Sequence, residues 1–376
     1  MVAGLDALRL DRGAGPDGTS DALVDAGVPV VGHSAVAEGS PNLDVLRSLA
    51  VLTVMIDHLV PTLMSHGFAV PAWVAAFTAH IGQAGVLAFF VHTSLVLMYS
   101  LERMSRRHHG AGLVGRFYVR RAFRIYPLAL ACIALVLVLK IPAMTWRATP
   151  PVTGPVVAAN VLLVQNLWTR QSVLGPLWSL PYEVQMYLVL PVLYVIARRS
   201  WGAGALGAAF SAACVLGFVA DRATHGHLNL AAYVPCFLCG VLCYAVRDRP
   251  WVKLSGRLWI PFLVSGLLIY CLVHLGQPEP VYWLGWIFCL ALGLAINAFK
   301  DSTSRAVNAP AHAVATYSYG VYLLHVPVLY LLFDVMRLHS APSAVAIYFA
   351  LTLVLSVASF RAIEGPFMTV GRRLSD

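Results

Sequence analysis

From Asn42 onward the chain is a succession of long apolar runs separated by short polar, basic or Gly/Pro-containing breaks. The runs at 44–64, 81–100, 121–140, 178–197, 203–220, 230–246, 258–275, 281–298, 312–333 and 342–362 each approach the ~20 residues with which an α-helix crosses the hydrocarbon of a bilayer. They predict an all-α, polytopic integral membrane protein of about ten transmembrane helices. One more apolar stretch, Pro155–Leu167, has only 13 residues and reads as a short re-entrant or interfacial segment. Residues 1–40 differ in kind. They are rich in Gly, Asp, Ala and Pro and have no apolar period, which predicts a disordered tail. No apolar core follows a basic start, so they do not read as a signal peptide. The expected organisation is a cytoplasmic tail over 1–40 and one transmembrane domain over 41–370.

Composition supports lipid as the solvent. Of 376 residues, 59% are hydrophobic and 11% charged, against roughly 25% charged in a soluble domain. Mean hydropathy is +0.75. The seven cysteines all lie in apolar runs, where they act as small hydrophobes. Cys236, Cys239 and Cys243 share a helix face, but no His or acid joins them at ligand spacing, so no metal site is expected.

The net charge of +9 acquires meaning only when the basic residues are sorted by side. Arg103, Arg106, Arg107, Arg116, Arg120, Arg121 and Arg124 lie between the second and third runs and place that loop in the cytoplasm. Alternation from there puts 21 Lys and Arg inside and 5 outside, with both termini cytoplasmic. Treating Pro155–Leu167 as a full span would reverse every later loop and destroy this asymmetry.

Ionisable groups within the runs are costly, at least ~2.5–3.5 kcal/mol at mid-bilayer, and so are functional candidates. Arg47 and His58 in the first run are 11 residues apart. At ~100° per residue they share one face, ~16 Å apart along the axis. Arg47 is expected near the cytoplasmic surface and His58 near mid-depth, a cation and a titratable base on one stripe. The plainer reading is a snorkelling arginine and an unrelated buried histidine. Asp57 projects about 100° from His58 and faces either a partner histidine or a polar cavity. Glu183 in the fourth run is expected ~8 Å from the outer surface. Tyr322 and His325 lie one turn apart on the ninth. Arg121 and Arg124, also one turn apart, present two guanidinium forks suited to phosphate. Trp178 and Tyr182 also suit interfacial anchoring.

Taken together these segments resemble the membrane-bound acyltransferase 3 family. Arg47…His58 is similar to its R-x10-H, and 82–94 (GQAGVLAFFVHTS) to its glycine-rich FF-x-x-S-G element. Arg121-Ala-Phe-Arg-Ile-Tyr-Pro127 resembles R-x-x-R-x-Y-P, and 177–187 (LWSLPYEVQMY) its W-S-L-x-x-E-x-x-x-Y. Residues 317–325 (YSYGVYLLH) resemble S-Y-x-x-Y-L-x-H, and Glu364-Gly-Pro366 the closing E-x-P. The chain departs where Thr93-Ser94 follows His92 in place of Ser-Gly. Thr93 keeps a hydroxyl, while the glycine that permits close helix approach is lost.

The resemblance implies an O-acyltransferase in a bacterial inner (cytoplasmic) membrane. It would move a short acyl group, acetyl as the first expectation, from cytosolic acyl-CoA to a hydroxyl of a sugar, glycan or related acceptor. Arg47, Arg121 and Arg124 would hold the donor's nucleotide end. His58 would act as general base or carry a transient acyl group. Trp178, Ser179, Glu183, Tyr187, Tyr322, His325 and Thr93 would line the acceptor side or orient His58. No metal, nucleic acid or appended extracellular hydrolase-like domain is expected. The rival reading is a transporter using the buried His, Glu and Asp as a proton relay. The chain shows no matching halves with broken spans at corresponding positions, which that reading favours.

Overall fold

The computed structural model describes residues 39–224, 229–277 and 281–375, so the tail expected over 1–40 lies almost wholly outside the described residues. The helices in order are α1 (Pro41–Ser65), α2 (Ala72–Thr78), α3 (Ile81–Ser105), α4 (Gly110–Leu139), α5 (Gly154–Val161), α6 (Leu180–Ala197), α7 (Gly202–Thr224), α8 (Asn229–Ala245), α9 (Trp259–Val273), α10 (Tyr282–Ala298), α11 (Arg305–Tyr330), α12 (Ala341–Ser359) and α13 (Gly365–Ser375). Each predicted run falls on a helix. Single π-helical turns, Leu331–Val335 and Phe360–Glu364, follow α11 and α12.

Seven helical stretches among the described residues are long and apolar enough to cross a bilayer. They contain α3, α4, α6, α7, α9, α11 and α12. The sequence expectation was ten. Helices α8 and α10 are apolar but have 17 residues each, a rise of ~26 Å against a hydrocarbon core of ~30 Å. Helix α1 has 25 residues and carries Asp44, Arg47 and Asp57 among its apolar positions.

The bundle is built around α1, α3 and α11. Helix α1 packs against both of the others, and α3 packs against α8. In the apolar stretches of α3 and α11, 72% and 67% of residues are buried, against 17% in α7 and 22% in α9. The outer helices turn Val215, Leu216, Val264, Ile269, Leu272 and Val354 outward, the apolar exterior that lipid solvates.

The glycine missing after Thr93 is replaced across the interface. Ser94 is fully buried and folds its hydroxyl back onto the Phe90 carbonyl at 2.8 Å. Gly240 of α8 sits directly against the Ser94 hydroxyl and the Val91 carbonyl, where any side chain would collide. Close approach is kept with the small residue on the facing helix.

Segment 140–179 joins α4 to α6, and between α4 and the turn Gly175–Trp178 it has no helix long enough to cross a bilayer. Helix α5 has eight residues, ~12 Å. Buried Asn160 ties the segment to itself, donating to the carbonyls of Val156 and Gln171 (both 2.8 Å) and accepting from the Val173 amide at 3.1 Å. Gln165 donates to the Leu177 carbonyl at 2.9 Å. A hydroxyl pair, Thr62 with Thr145 at 2.6 Å, fastens the segment to α1. These side chains satisfy backbone groups that a membrane interior leaves without water.

Candidate active site

The 11-residue spacing on α1 turns Arg47 and His58 into the same interior but into different spaces. His58 lines a cavity of about 1110 Å³. Arg47 lines two small chambers of about 60 and 80 Å³. Val86 belongs to the walls of both the cavity and the smaller chamber.

At the cavity wall, His58 and His325 form a buried pair with Nδ1 of His58 2.8 Å from Nε2 of His325. The protons follow from the partners. Nδ1 of His325 is 3.1 Å from the Val321 carbonyl, which only accepts, so that nitrogen carries the hydrogen. In a neutral ring its Nε2 is then an acceptor, and Nδ1 of His58 donates to it. Nε2 of His58 remains as the basic nitrogen of a ring lining the cavity. Trp146 packs over the same imidazole with ring centroids 5.3 Å apart.

The rest of the cavity is aromatic and amide-rich. Trp178, Tyr182, Tyr233 and Tyr282 form a ring cluster with centroids 4.9–6.0 Å apart. Gln165, Asn166, Arg147 and Arg170 come from the 140–179 segment. Asp57 also lines this cavity, and its carboxylate accepts from the Gly82 amide at the start of α3 at 3.3 Å. Of its two sequence readings, the structure places it facing the polar cavity.

Beyond a layer formed by Ser179 and Tyr322, whose hydroxyls are 2.7 Å apart, lie the two chambers. Arg47, Thr93, Glu183 and Tyr319 line both. Tyr322 and Ser179 line the smaller, while His92, Arg121, Arg124 and Tyr187 line the larger. Arg47 Nε donates to the Ser318 hydroxyl at 2.6 Å. Arg124 is ion-paired to Glu364, which the π turn after α12 carries into the bundle, and its guanidinium lies over the Tyr319 ring at 5.4 Å. Tyr187 donates to the Glu183 carboxylate.

The resemblance puts Glu183 on the acceptor side or against His58; it lies instead with the arginines beyond Tyr322. The turn Gly175–Trp178 that precedes it packs inside the bundle, Leu177 being fully buried. Arg121 and Arg124 line an internal chamber, where Glu364 offsets one charge, and Arg47 lines the same chamber. Trp178, Tyr322 and His325 do lie around or next to the His58 cavity, while Thr93 and Tyr187 belong to the arginine chambers.

Sequence reasoning passed over Trp146, Tyr233, Tyr282, Gln165 and Asn166. These are loop or ordinary-looking aromatic positions, and only the fold of segment 140–179 brings the first and last two to His58. Glu364 carried a usable signal in its E-x-P context. Among the described residues no group of three or more His, Cys, Asp or Glu is placed to hold a metal.

Comparison with known proteins gives the chain a family. A peptidoglycan O-acetyltransferase, OatA of Listeria monocytogenes serovar 1/2a, is 24% identical over 392 residues, covering 88% of this chain. The chain spans about half, 56%, of that protein's length. No solved structure matches. An acyltransferase-domain family model matches residues 40–361, which include Arg47, His58, Glu183 and His325. With that match over most of its length, the chain belongs to the acyltransferase 3 family.

Proposed function

We propose that this protein is a membrane O-acyltransferase that moves a short acyl group, most simply acetyl, from acyl-CoA to a hydroxyl of a saccharide or glycan. The carrying observation is the His58–His325 pair in the wall of an aromatic-lined cavity of about 1110 Å³. Flat aromatic faces with amide groups between them suit the apolar faces and hydroxyl rims of sugar rings, and the volume exceeds that of typical drug-sized pockets. The similarity to a peptidoglycan O-acetyltransferase supports a glycan acceptor.

In this reading His58 Nε2 takes the proton of the acceptor hydroxyl as its oxygen attacks the thioester carbonyl. The C–S bond breaks, and the thiolate leaves with the proton from the imidazolium. His325 holds the tautomer and orientation of His58 by accepting from Nδ1–H. Arg47, Arg121 and Arg124 hold the phosphate-bearing end of the donor, and Tyr322 and Ser179 stand between donor and acceptor spaces. The topology we propose has ten spans, α1, α3, α4 and α6 to α12, in an inner membrane with both termini in the cytoplasm. The 21-to-5 distribution of basic residues supports it, and modest bilayer thinning accommodates the two 17-residue helices.

The test is transfer from radiolabelled acetyl-CoA to saccharide acceptors by the protein in lipid nanodiscs, alongside His58→Ala and Arg47→Ala variants that insert normally. Undiminished transfer by either variant would remove that residue from the mechanism. Solute flux across proteoliposomes without acetyl-CoA consumption would favour the transporter.

A further inference from the structure

His92 is a titratable residue of the glycine-rich element whose chemistry the proposed function leaves unused. It is 4% exposed, lies on α3, and faces the chamber of about 80 Å³ lined by Arg47, Arg121, Arg124, Glu183 and Tyr187. Its Nδ1 is buried without a hydrogen-bond partner among the described residues, and so is Nε of Arg121 in the same wall. The neighbouring polar groups are already committed. Arg47 donates to Ser318, Arg124 pairs with Glu364, and Glu183 accepts from Tyr187. A bundle interior has no bulk water to satisfy the two orphan nitrogens, and such groups persist at a cost unless something binds them.

The charge of the wall says what would bind. Three guanidinium groups and the Glu183 carboxylate line the chamber. Glu364, whose Oε1 is also buried without a partner among the described residues, pairs with Arg124, leaving one excess positive charge. The unfilled donor on the wall is Arg121 Nε–H, joined by His92 Nδ1 in the tautomer that carries its hydrogen there. At about 80 Å³ the chamber has room for a few waters or one compact oxyanion. The residue is also placed for the donor end of the reaction, since Arg47 lies three helical turns, ~16 Å, from His58.

We propose that His92 is a donor-binding residue, which together with Arg121 donates hydrogen bonds to a phosphate oxygen of the acyl donor and so sets donor affinity. The proposal rests on the acyl-CoA reading above for the identity of the donor, but the anion site is testable without it.

The experiment measures binding of inorganic pyrophosphate and of CoA to the full chain in nanodiscs, by calorimetry, for wild type, His92→Leu and His92→Asn. Loss of one hydrogen bond to a charged group predicts ~10–100-fold weaker binding of both probes by His92→Leu. His92→Asn, which keeps an N–H donor, should recover most of the loss. In acyl transfer, His92→Leu should raise the KM for acyl-CoA by a larger factor than it lowers kcat, with the acceptor KM unmoved. A merely packing role would lower thermal stability in both variants without separating Leu from Asn. Equal affinity of wild type and His92→Leu for both probes overturns the proposal while leaving the donor reading intact. Binding of pyrophosphate but not CoA by wild type, weakened by His92→Leu, keeps the anion site and overturns acyl-CoA as donor. Failure of wild type to bind either probe overturns both.

Discussion

The two spaces along α1 are built from different materials. The cavity at His58 is large, and much of its wall comes from the connection between α4 and α6: Trp146, Arg147, Gln165, Asn166 and Arg170. The chambers at Arg47 are more than ten times smaller, and their walls come almost wholly from helices α1, α3, α4, α6 and α11. Loops accommodate substitution, whereas packed helices hold side chains to within fractions of an ångström. The contrast teaches a division of labour. The helical chambers suit a compact charged group, and the loop-walled cavity suits a larger partner. The histidine pair sits in the cavity wall, and Tyr322 of the dividing layer packs beside His325 with ring centroids 6.2 Å apart.

Substitutions break or sharpen this contrast, the largest effects coming first. His58→Ala should cost ~10²–10⁴-fold in acyl-transfer turnover, measured at saturating donor, because it removes the base. A loss below tenfold would move the chemistry out of the cavity. Glu364→Ala should destabilise the chamber side by ~3–5 kcal/mol, read by denaturant unfolding in detergent, because it strands the charge of Arg124. Arg124→Met combined with it should restore much of that loss. His325→Leu should lower turnover by ~10–100-fold, since the tautomer of His58 is no longer held, while His325→Gln, whose Oε1 accepts, should recover part of it. If both variants lose equally, the pair is packing and not proton control. Tyr322→Phe deletes the bond to Ser179 between the two spaces and should cost ~0.5–1.5 kcal/mol in the same unfolding assay. Ile269→Val, 62% exposed on α9, touches neither space and should change stability by less than ~0.5 kcal/mol.

Much was legible before the fold. The apolar runs located the helices because burial in lipid demands a minimum apolar length, and Pro155–Leu167 read as too short to cross for the same reason. The shared face of Arg47 and His58 followed from helix periodicity alone. Which space a side chain lines was not legible: Glu183 lies with Arg47 beyond Tyr322 because the packing of α6 against α3 decides it. The missed aromatics had no signature, since Trp146 meets His58 through the fold of its segment, which the Thr62–Thr145 bond and the ties of Asn160 and Gln165 help to hold.

The sequence by itself therefore determined that the chain is helical and membrane-embedded, which helices carry costly polar groups, and that one arginine and one histidine share a stripe. These depend on local quantities, residue polarity and a 3.6-residue period. Only the tertiary structure decided that the stripe serves two separate spaces, that His325 holds Nδ1 of His58, and that Glu364 and Gly240 supply what α4 and α3 lack. Those are pairings between segments up to 267 residues apart, and a local period carries no information about which faces meet.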